Sequence, residues 1–292
     1  MPLLQPKEYK TDTKPIWCPG CGDFAVLAAL YQAFSALDVD PNNTAIVSGI
    51  GCSSRLPVFV KSYGFHTVHG RTLPVATGIK LANPELTVMA MGGDGDGFAI
   101  GGGHVPHAAR RNVDITYVVM DNFIYGLTKG QTSPTTGTKD GVGHGFKLTT
   151  TSPYGQYEDP INPLAMLLIY GASFVARGYS AKPKQLAELY KAAMSHKGFS
   201  FIQVLSPCVV FNRTYDELDA AILPLEGKHD PTDFNAAMAL ALDTQTEHLG
   251  IIYQQERPTL EQRIGGIVEQ NYTNGTGNGP KDKLKGLLAK YR

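Results

Sequence analysis

An α/β fold, with a mostly parallel sheet flanked by helices, is what three features of this 292-residue chain predict. A short apolar run, Leu86 to Met91, drops into glycines and then Asp94-Gly95-Asp96-Gly97. The stretch from Phe98 to Arg111 follows, glycine-rich in its first half and helical in its second, and a further apolar run, Ile115 to Met120, ends in Asp121-Asn122. Strand, loop, helix, strand is a βαβ unit, whose right-handed crossover makes its two strands parallel. The alternation returns in Ala172–Arg177, a helical Ala181–Ser195 and Phe201–Leu205. Polar residues gather just past these runs, at the carboxyl ends of strands, where open α/β sheets bind ligands.

Taken in order, residues 1 to 16 are polar and proline-marked and read as an extended arm. Trp17-Cys18-Pro19-Gly20-Cys21-Gly22 comes next, and Gly22 or Asp23 caps the apolar-periodic FAVLAALYQAFSAL, so the CxxC sits at a helix start. Thr44 to Ser48 is a buried strand ending in Gly49-Ile50-Gly51-Cys52-Ser53-Ser54-Arg55. His66 to His69 is expected as a further short strand, leading through Gly70-Arg71 into a helix from Leu73 to Ala82. Residues 132 to 163 are rich in Thr, Gly and Pro without apolar periodicity, and a loop that long inside a compact domain usually covers a site. Residues 1–215 form the main domain on this reading, and 216–292 an extension that packs on it or on a partner subunit. In that extension Pro231–Asp243 is helical, Leu249–Gln254 a strand, 271–280 a glycine-asparagine linker and the final KDKLKGLLAKYR a basic amphipathic tail.

The balance of 26 basic and 26 acidic residues argues against a nucleic-acid partner. No apolar run is long enough to span a membrane and the start lacks a signal-peptide core, so a cytoplasmic location is expected.

Asp94 and Asn122 follow two strands that the crossover brings side by side. A carboxylate plus an amide oxygen is a sparse oxygen set that suits Mg²⁺, which completes its octahedron with water and phosphate oxygens. Glycines beside Asp94 let backbone N–H groups approach a diphosphate. An acidic glycine turn with an unrelated loop asparagine is the bland alternative, and the paired spacing on a βαβ frame argues against it. Four cysteines, Cys18, Cys21, Cys52 and Cys208, are placed as one CxxC and two singles, all at strand or helix ends. For an intracellular chain this favours metal over disulfide. A two-plus-one-plus-one set suits a 4Fe–4S cluster, which accepts ligands from scattered loops. Zinc, and four unlinked cysteines, stay open as alternatives. With zinc, the chain would be a zinc-stabilised interaction module.

GDG, a spacer from 96 to 121, then Asn122 resembles the thiamine diphosphate signature. WCPGCG, GIGCSSR, HGRTLPVATGIKLANP, GGDGDGFAIGGGH, DNFIYGLTKGQTSPT and SPCVVFN together resemble the β subunit of 2-oxoacid:ferredoxin oxidoreductases, most closely those that act on 2-oxoglutarate. The resemblance implies a pyrophosphate-type thiamine diphosphate fold, Mg²⁺ held by Asp94, Asn122 and the Ile124 carbonyl, and a 4Fe–4S cluster on Cys18, Cys21, Cys52 and Cys208. It implies cofactor contacts from Gly51, Cys52, Ser53, Ser54, His69, Arg71, Gly93, Gly95, Asp96, Gly126 and Leu127. It also implies coenzyme A as co-substrate, ferredoxin as acceptor, and an (αβ)2 assembly in which the α subunit brings the pyrimidine half of the cofactor site and the activating glutamate. Lys129 occurs in members that accept 2-oxoglutarate, where a cation pairs with the distal carboxylate. His104 and His107, one helical turn apart, read as packing rather than as a metal pair.

Overall fold

Period-two alternation sends the side chains of each apolar run to opposite faces, and each face collects its own helices. The computed structural model describes residues 4–225 and 227–273. Its strands are β1 (Thr44–Ser48), β2 (Tyr63–His66), β3 (Thr87–Gly93), β4 (Thr116–Asp121), the short hairpin pair β5 (Ile124–Tyr125) and β6 (Gln131–Thr132), β7 (Phe174–Tyr179), β8 (Ser200–Leu205), β9 (Ile222–Pro224) and β10 (Glu247–Gln254). Eight of them form one sheet in the order β2-β1-β3-β4-β8-β7-β10-β9. Within it only the β10–β7 pair is antiparallel. Ile46, Met89, Met91, Val118, Met120, Ile202 and Val204 pack under helices α1 (Asp23–Ala36) and α5 (Pro183–Ser195). Their neighbours Ala45, Val47, Val88, Ala90, Tyr117, Val119 and Phe201 pack with α2 (Thr72–Ala82), α3 (Val105–Arg111), α4 (Pro163–Ile169) and α7 (Phe234–Ala241). Each of the larger of these side chains contributes on the order of 2 kcal/mol by leaving water.

The expected mostly parallel sheet is therefore present, with differences at particular elements. The N-terminal arm is not extended throughout: Pro6–Tyr9 is a 3₁₀ turn, and Tyr9 is fully buried with its hydroxyl donating to the Val39 carbonyl at 2.9 Å. The short strand lies at Tyr63–His66, not His66–His69; all four of its residues are exposed at the sheet edge, so no alternation marks it in the sequence. The glycine-rich half of the Phe98–Arg111 stretch is also helical from Gly95 to Ile100, as a wide π turn closed by Gly101 N–H on the Asp96 carbonyl at 3.1 Å. Helices α4, α6 (Tyr215–Ala221) and α8 (Leu260–Thr273) are additions to the expected set, the first two because seven residues are too few for a clear period.

Beyond residue 215 the chain joins the same sheet, through β10 and β9. The start of the expected linker, up to Thr273, is helical; the rest of it and the basic tail lie outside the described residues. Among the described residues no helix is long and apolar enough to cross a membrane.

The long segment between β6 and α4 has no regular element of its own and is held by side chains from the C-terminal part of the chain. His144 gives Nδ1 to Glu217 and Nε2 to Glu247, both at 2.9 Å, and Arg177 closes on Glu247 from the other side. These two carboxylates push the His144 imidazole up to about 9 against burial. Its charged form is therefore favoured by folding, a contribution present in full below the ordinary histidine range and lost as pH rises through about 9. With a discount for its partial exposure the interaction is worth about 2 kcal/mol. The melting temperature should fall by several degrees between about pH 7.5 and pH 9.5. His144→Gln should start lower and lose most of that slope. A wild-type slope in that variant, read by differential scanning calorimetry, would remove His144 as its source.

Candidate active site

Four neighbouring parallel strands, β1, β3, β4 and β8, present their carboxyl ends along one edge, and each ends in a segment that the sequence singled out. β1 runs into Gly49-Ile50-Gly51-Cys52, β3 into Asp94, β4 into Asn122 and β8 into Ser206-Pro207-Cys208. Between them opens a cleft of about 110 Å³, lined by Gly51, Cys52, Ser53, His69, Gly93, Asp94, Gly95, Asp96, Asn122, Ile124, Gly126 and Leu127, together with Ile50, Tyr125 and Thr128.

Asp96 is among these lining residues, and both its oxygens accept from protein donors. Its Oδ1 accepts from Ile50 N–H at 2.8 Å, Gly70 N–H at 2.8 Å and His69 Nδ1 at 2.7 Å, and its Oδ2 from the Thr72 hydroxyl at 3.2 Å. The carboxylate is thereby committed to protein donors and ties the β1 loop and the His69-Gly70-Arg71 turn to the π turn. Gly49 must be glycine here, since a Cβ would overlap the Asp96 carboxylate.

Asp94 is buried, and burial pushes its carboxyl above the usual range despite hydroxyls of Ser133 and Thr135 and backbone amides that favour the ionised form. A buried carboxylate held up by desolvation is what a bound cation relieves. Asp121, one position before Asn122, is pushed up to about 7 by burial and by the Asp94 charge. Asn122 is half-buried; its Oδ1 accepts from Ile124 N–H at 3.0 Å, and its backbone carbonyl takes Asn212 Nδ2 at 3.1 Å. Phe123 between them stands at φ +60°, a left-handed conformation rare for an aromatic residue, of the kind that clusters at ligand sites. The donor set of one buried carboxylate, one amide and the nearby Ile124 backbone fits a hard cation, and the glycine edges leave room for a diphosphate.

The four cysteines converge on the same edge. None is in a disulfide; Cys18 is exposed and the others are half-buried. Gly22 N–H donates to the Pro207 carbonyl at 3.3 Å, which pins the CxxC against the Cys208 loop, and Trp17 Nε1 donates to the Cys52 carbonyl at 2.7 Å. Burial, then Asp23 and the other cysteines, push the Cys52 thiol up to about 11 and raise Cys21 further. Among the described residues no three His, Cys, Asp or Glu side chains converge closely enough to hold a single metal ion. A zinc ion draws its ligands to one point, whereas a four-iron cage is held by thiolates further apart. Thiol donors from one CxxC and two single loops on one edge are the donor chemistry of an iron–sulfur cluster. Gly126 joins the two groups of residues: a Cβ there would lie 3.6 Å from Cys208 Sγ, 3.7 Å from Asn122 Nδ2 and 3.9 Å from Cys52 Sγ.

Two protein families match the chain, one after the other. Residues 49–204 match the thiamine pyrophosphate enzyme, C-terminal TPP binding domain, and residues 208–269 match the C-terminal family of the pyruvate ferredoxin oxidoreductase beta subunit. The chain is 41% identical over 276 residues to 2-oxoacid:ferredoxin oxidoreductase 2, subunit beta, of Aeropyrum pernix, covering 89% of this chain and 87% of that one. It belongs to the β subunits of the 2-oxoacid:ferredoxin oxidoreductases. Within that family it is also 39% identical to 2-oxoglutarate synthase subunit KorB of Methanothermobacter marburgensis, over 90% of this chain and 92% of that one. A solved 2-oxoglutarate:ferredoxin oxidoreductase from Magnetococcus marinus, with 2-oxoglutarate, coenzyme A and succinyl-CoA bound, superposes with a TM-score of 0.90 at 46% identity, covering 98% of this chain and 97% of that one. The thiamine-diphosphate fold expected from the motifs is the fold of this β subunit.

Not every predicted residue reaches the cleft. Ser54 is fully buried with its hydroxyl unpartnered and its carbonyl accepting from Ser48, so it supports the β1 loop instead of lining the cleft. Arg71 turns its Nη1 onto the carbonyls of His69, Gly70 and Ile100, capping the π turn. Lys129 is exposed just past Thr128, at φ +79°, with its carbonyl fixed by the Thr151 hydroxyl at 3.0 Å. His104 and His107 stay outside the cleft lining, and His107 Nδ1 accepts from Arg110. Thr135, Asp121 and Asn212, which support the Asp94 and Asn122 loops, stand at the ends of the stretches DNFIYGLTKGQTSPT and SPCVVFN, but the sequence alone gives them no role. The only signal for them is the Thr-rich stretch itself and the polar end of β4.

Because Asp96 holds three loops, Asp96→Ala should destabilise the cofactor-free chain by about 2–4 kcal/mol, since the Ile50 and Gly70 N–H donors lose their acceptor. Urea unfolding in the absence of added cofactor checks this. A variant as stable as wild type, but defective in cofactor binding, would make Asp96 a ligand contact instead.

Proposed function

We propose that this β subunit works in a 2-oxoglutarate:ferredoxin oxidoreductase. With an α subunit it converts 2-oxoglutarate and coenzyme A to succinyl-CoA and CO₂ and passes the electrons to ferredoxin, or runs that step in reverse. The observation that carries the reading is the contact through Gly126, which sets the cysteine group directly against the Asn122 end of the cleft. Asp94, Asn122 and the Ile124 carbonyl would hold Mg²⁺. The amides around Gly51, Gly93 and Gly95 and the Ser53 hydroxyl would receive the diphosphate, and His69 and Leu127 would flank the cofactor. Cys18, Cys21, Cys52 and Cys208 would hold a 4Fe–4S cluster. Thiamine diphosphate supplies the electron sink that lets a 2-oxoacid lose CO₂, and the cluster a one-electron route outward.

What the chain itself does is orient and insulate. It offers a cation site on β3 and β4 and keeps the cysteines within reach of the cleft. The pyrimidine half of the site and the activating glutamate fall to the α subunit, in an (αβ)2 complex of the cytoplasm, so this chain alone is inactive. The names of the Methanothermobacter and Magnetococcus relatives support 2-oxoglutarate as substrate. A broader 2-oxoacid specificity is the second reading, supported by the name of the Aeropyrum relative.

The test is co-purification with the α partner, followed by iron, sulfide and thiamine diphosphate analysis and a substrate panel with coenzyme A and a ferredoxin. Cys208→Ala should lose cluster iron and ferredoxin reduction, and Asp94→Ala should lose thiamine diphosphate while keeping iron. Full iron content and turnover in Cys18→Ala, Cys21→Ala, Cys52→Ala and Cys208→Ala alike would sink the cluster assignment.

Lys129 tests substrate choice separately. Lys129 is exposed on this chain; with the α subunit closed over the rim, a distal carboxylate pairs with its ammonium as a point charge, and loss of one partner of such a partly buried pair costs on the order of 2–4 kcal/mol. Lys129→Ala should therefore lower kcat/KM for 2-oxoglutarate by about 30- to 1,000-fold and leave pyruvate far less changed. Equal losses for both substrates would make Lys129 a general loop or cofactor residue, and no loss for either a surface lysine.

A further inference from the structure

Behind the cleft a single hydroxyl is wedged between two buried carboxylates. Thr135 Oγ1 lies 2.8 Å from Asp94 Oδ2 and 2.8 Å from Asp121 Oδ1. Thr135 comes from the long segment between β6 and α4, and it lines not the cleft but a second cavity on the far side of Asp94. Its place is set on every side. Ser133 N–H donates to the Thr136 hydroxyl at 2.7 Å, the Thr136 hydroxyl donates to the Phe123 carbonyl at 2.5 Å, and Ile161 N–H donates to the Pro134 carbonyl at 2.9 Å. Asp121 is held in turn by Gln203 Nε2 at 2.8 Å and Phe123 N–H at 3.2 Å, and Gln203 by Arg177 Nε at 3.0 Å. Thr135, Asp121 and Gln203 are each more than nine-tenths buried, so water does not substitute for these partners.

This fixes how Asp94 meets a cation. Thr135 has a single proton for the two carboxylates; the Asp121 oxygens already accept from Gln203 Nε2 and Phe123 N–H, so that proton serves Asp94 Oδ2 and the other Asp94 oxygen is the one left for the cleft. We propose that Thr135 is the residue that sets cation choice at this site, by making Asp94 a one-oxygen ligand; the proposal rests on the reading that Asp94 carries the cation. Mg²⁺ binds near-octahedrally at about 2.0–2.1 Å and takes carboxylate oxygens singly beside water and phosphate. Ca²⁺ binds at about 2.3–2.6 Å, takes more oxygens and readily accepts both from one carboxylate. A Thr135 hydroxyl on Oδ2 therefore disfavours the larger ion. Thr135 touches neither the cation nor the diphosphate; it is a positioning residue.

The experiment uses the assembled complex stripped of cation and cofactor. Thiamine diphosphate binding is followed by isothermal titration at saturating Mg²⁺ or Ca²⁺, and the dissociation constants for each cation are compared. Thr135→Val removes the hydroxyl at constant shape and should move the Mg²⁺ over Ca²⁺ preference toward Ca²⁺ by about tenfold or more, the scale of one hydrogen bond to a charged group. Thr135→Ser should keep the wild-type ratio, and Thr135→Ala serves if the valine variant fails to assemble. An unchanged ratio in Thr135→Val and Thr135→Ala, with both cations weakened alike, overturns the proposal and leaves Thr135 as loop packing. Asp94→Ala separates the two levels: cation-dependent cofactor binding at wild-type strength in that variant overturns the cation reading itself, and with it this inference.

Discussion

Asp96 takes donors from the loop after β1, from the turn after β2 and from the start of α2, and it does so from the middle of a wide helical turn that begins beside Asp94. The cleft exists because those segments are held at fixed distances by one buried anion. Backbone N–H groups at the ends of parallel strands have no sheet partner, and a buried acceptor is worth most where water is excluded. The glycines around it follow from the same constraint, since the strands can approach the carboxylate only where a Cβ is missing. What looks in the sequence like a flexible acidic loop is thus the most constrained part of the edge.

That inversion explains which parts of the site are legible in the sequence. Asp94, Asn122, the glycines and the cysteines announce themselves through spacing, because chemistry needs those residue types at strand ends. Asp96 shares the motif with Asp94, and nothing in GDGDG says that one carboxylate faces the cleft and the other faces the protein; only the π turn decides it. Ser54 and Arg71 look like cofactor contacts by their position within their motifs, whereas burial and nearby carbonyls redirect their side chains. Thr135 and Asn212 stand at the ends of motifs, but their roles are not legible because their partners lie 41 and 90 positions away. The parallel core is legible from continuous apolar runs such as Val88 to Met91, which are buried on both faces of the sheet. The antiparallel β10 is legible as a strand but not as a member of that sheet, because pairing direction leaves no trace in periodicity.

The two groups of residues at the edge are mechanically continuous. Asn212 belongs to the turn that Cys208 opens, since its N–H returns to the Cys208 carbonyl at 3.1 Å. Its side chain reaches the Asn122 carbonyl and also the Gly145 carbonyl of the long segment at 3.2 Å. The Cys208 loop and the Asn122 carbonyl are therefore linked by hydrogen bonds through one side chain. Gly126 lies where a side chain would touch Asn122, Cys52 and Cys208 at once.

The strand order also governs how the chain comes to exist. β4, buried along its whole length, pairs on one side with β3, which precedes it closely, and on the other with β8, which is synthesised only after the long segment, α4, β7 and α5. At ordinary translation speeds β4 waits roughly 4–16 s with one edge open. Such an edge, rich in Tyr, Val and Met, is a template for pairing with other nascent chains. The other partner of β3, β1, is already in place by then, so the exposure is confined to a single side. The order of synthesis thus makes the open edge of β4 the place where pairing with another chain competes with its native partner β8.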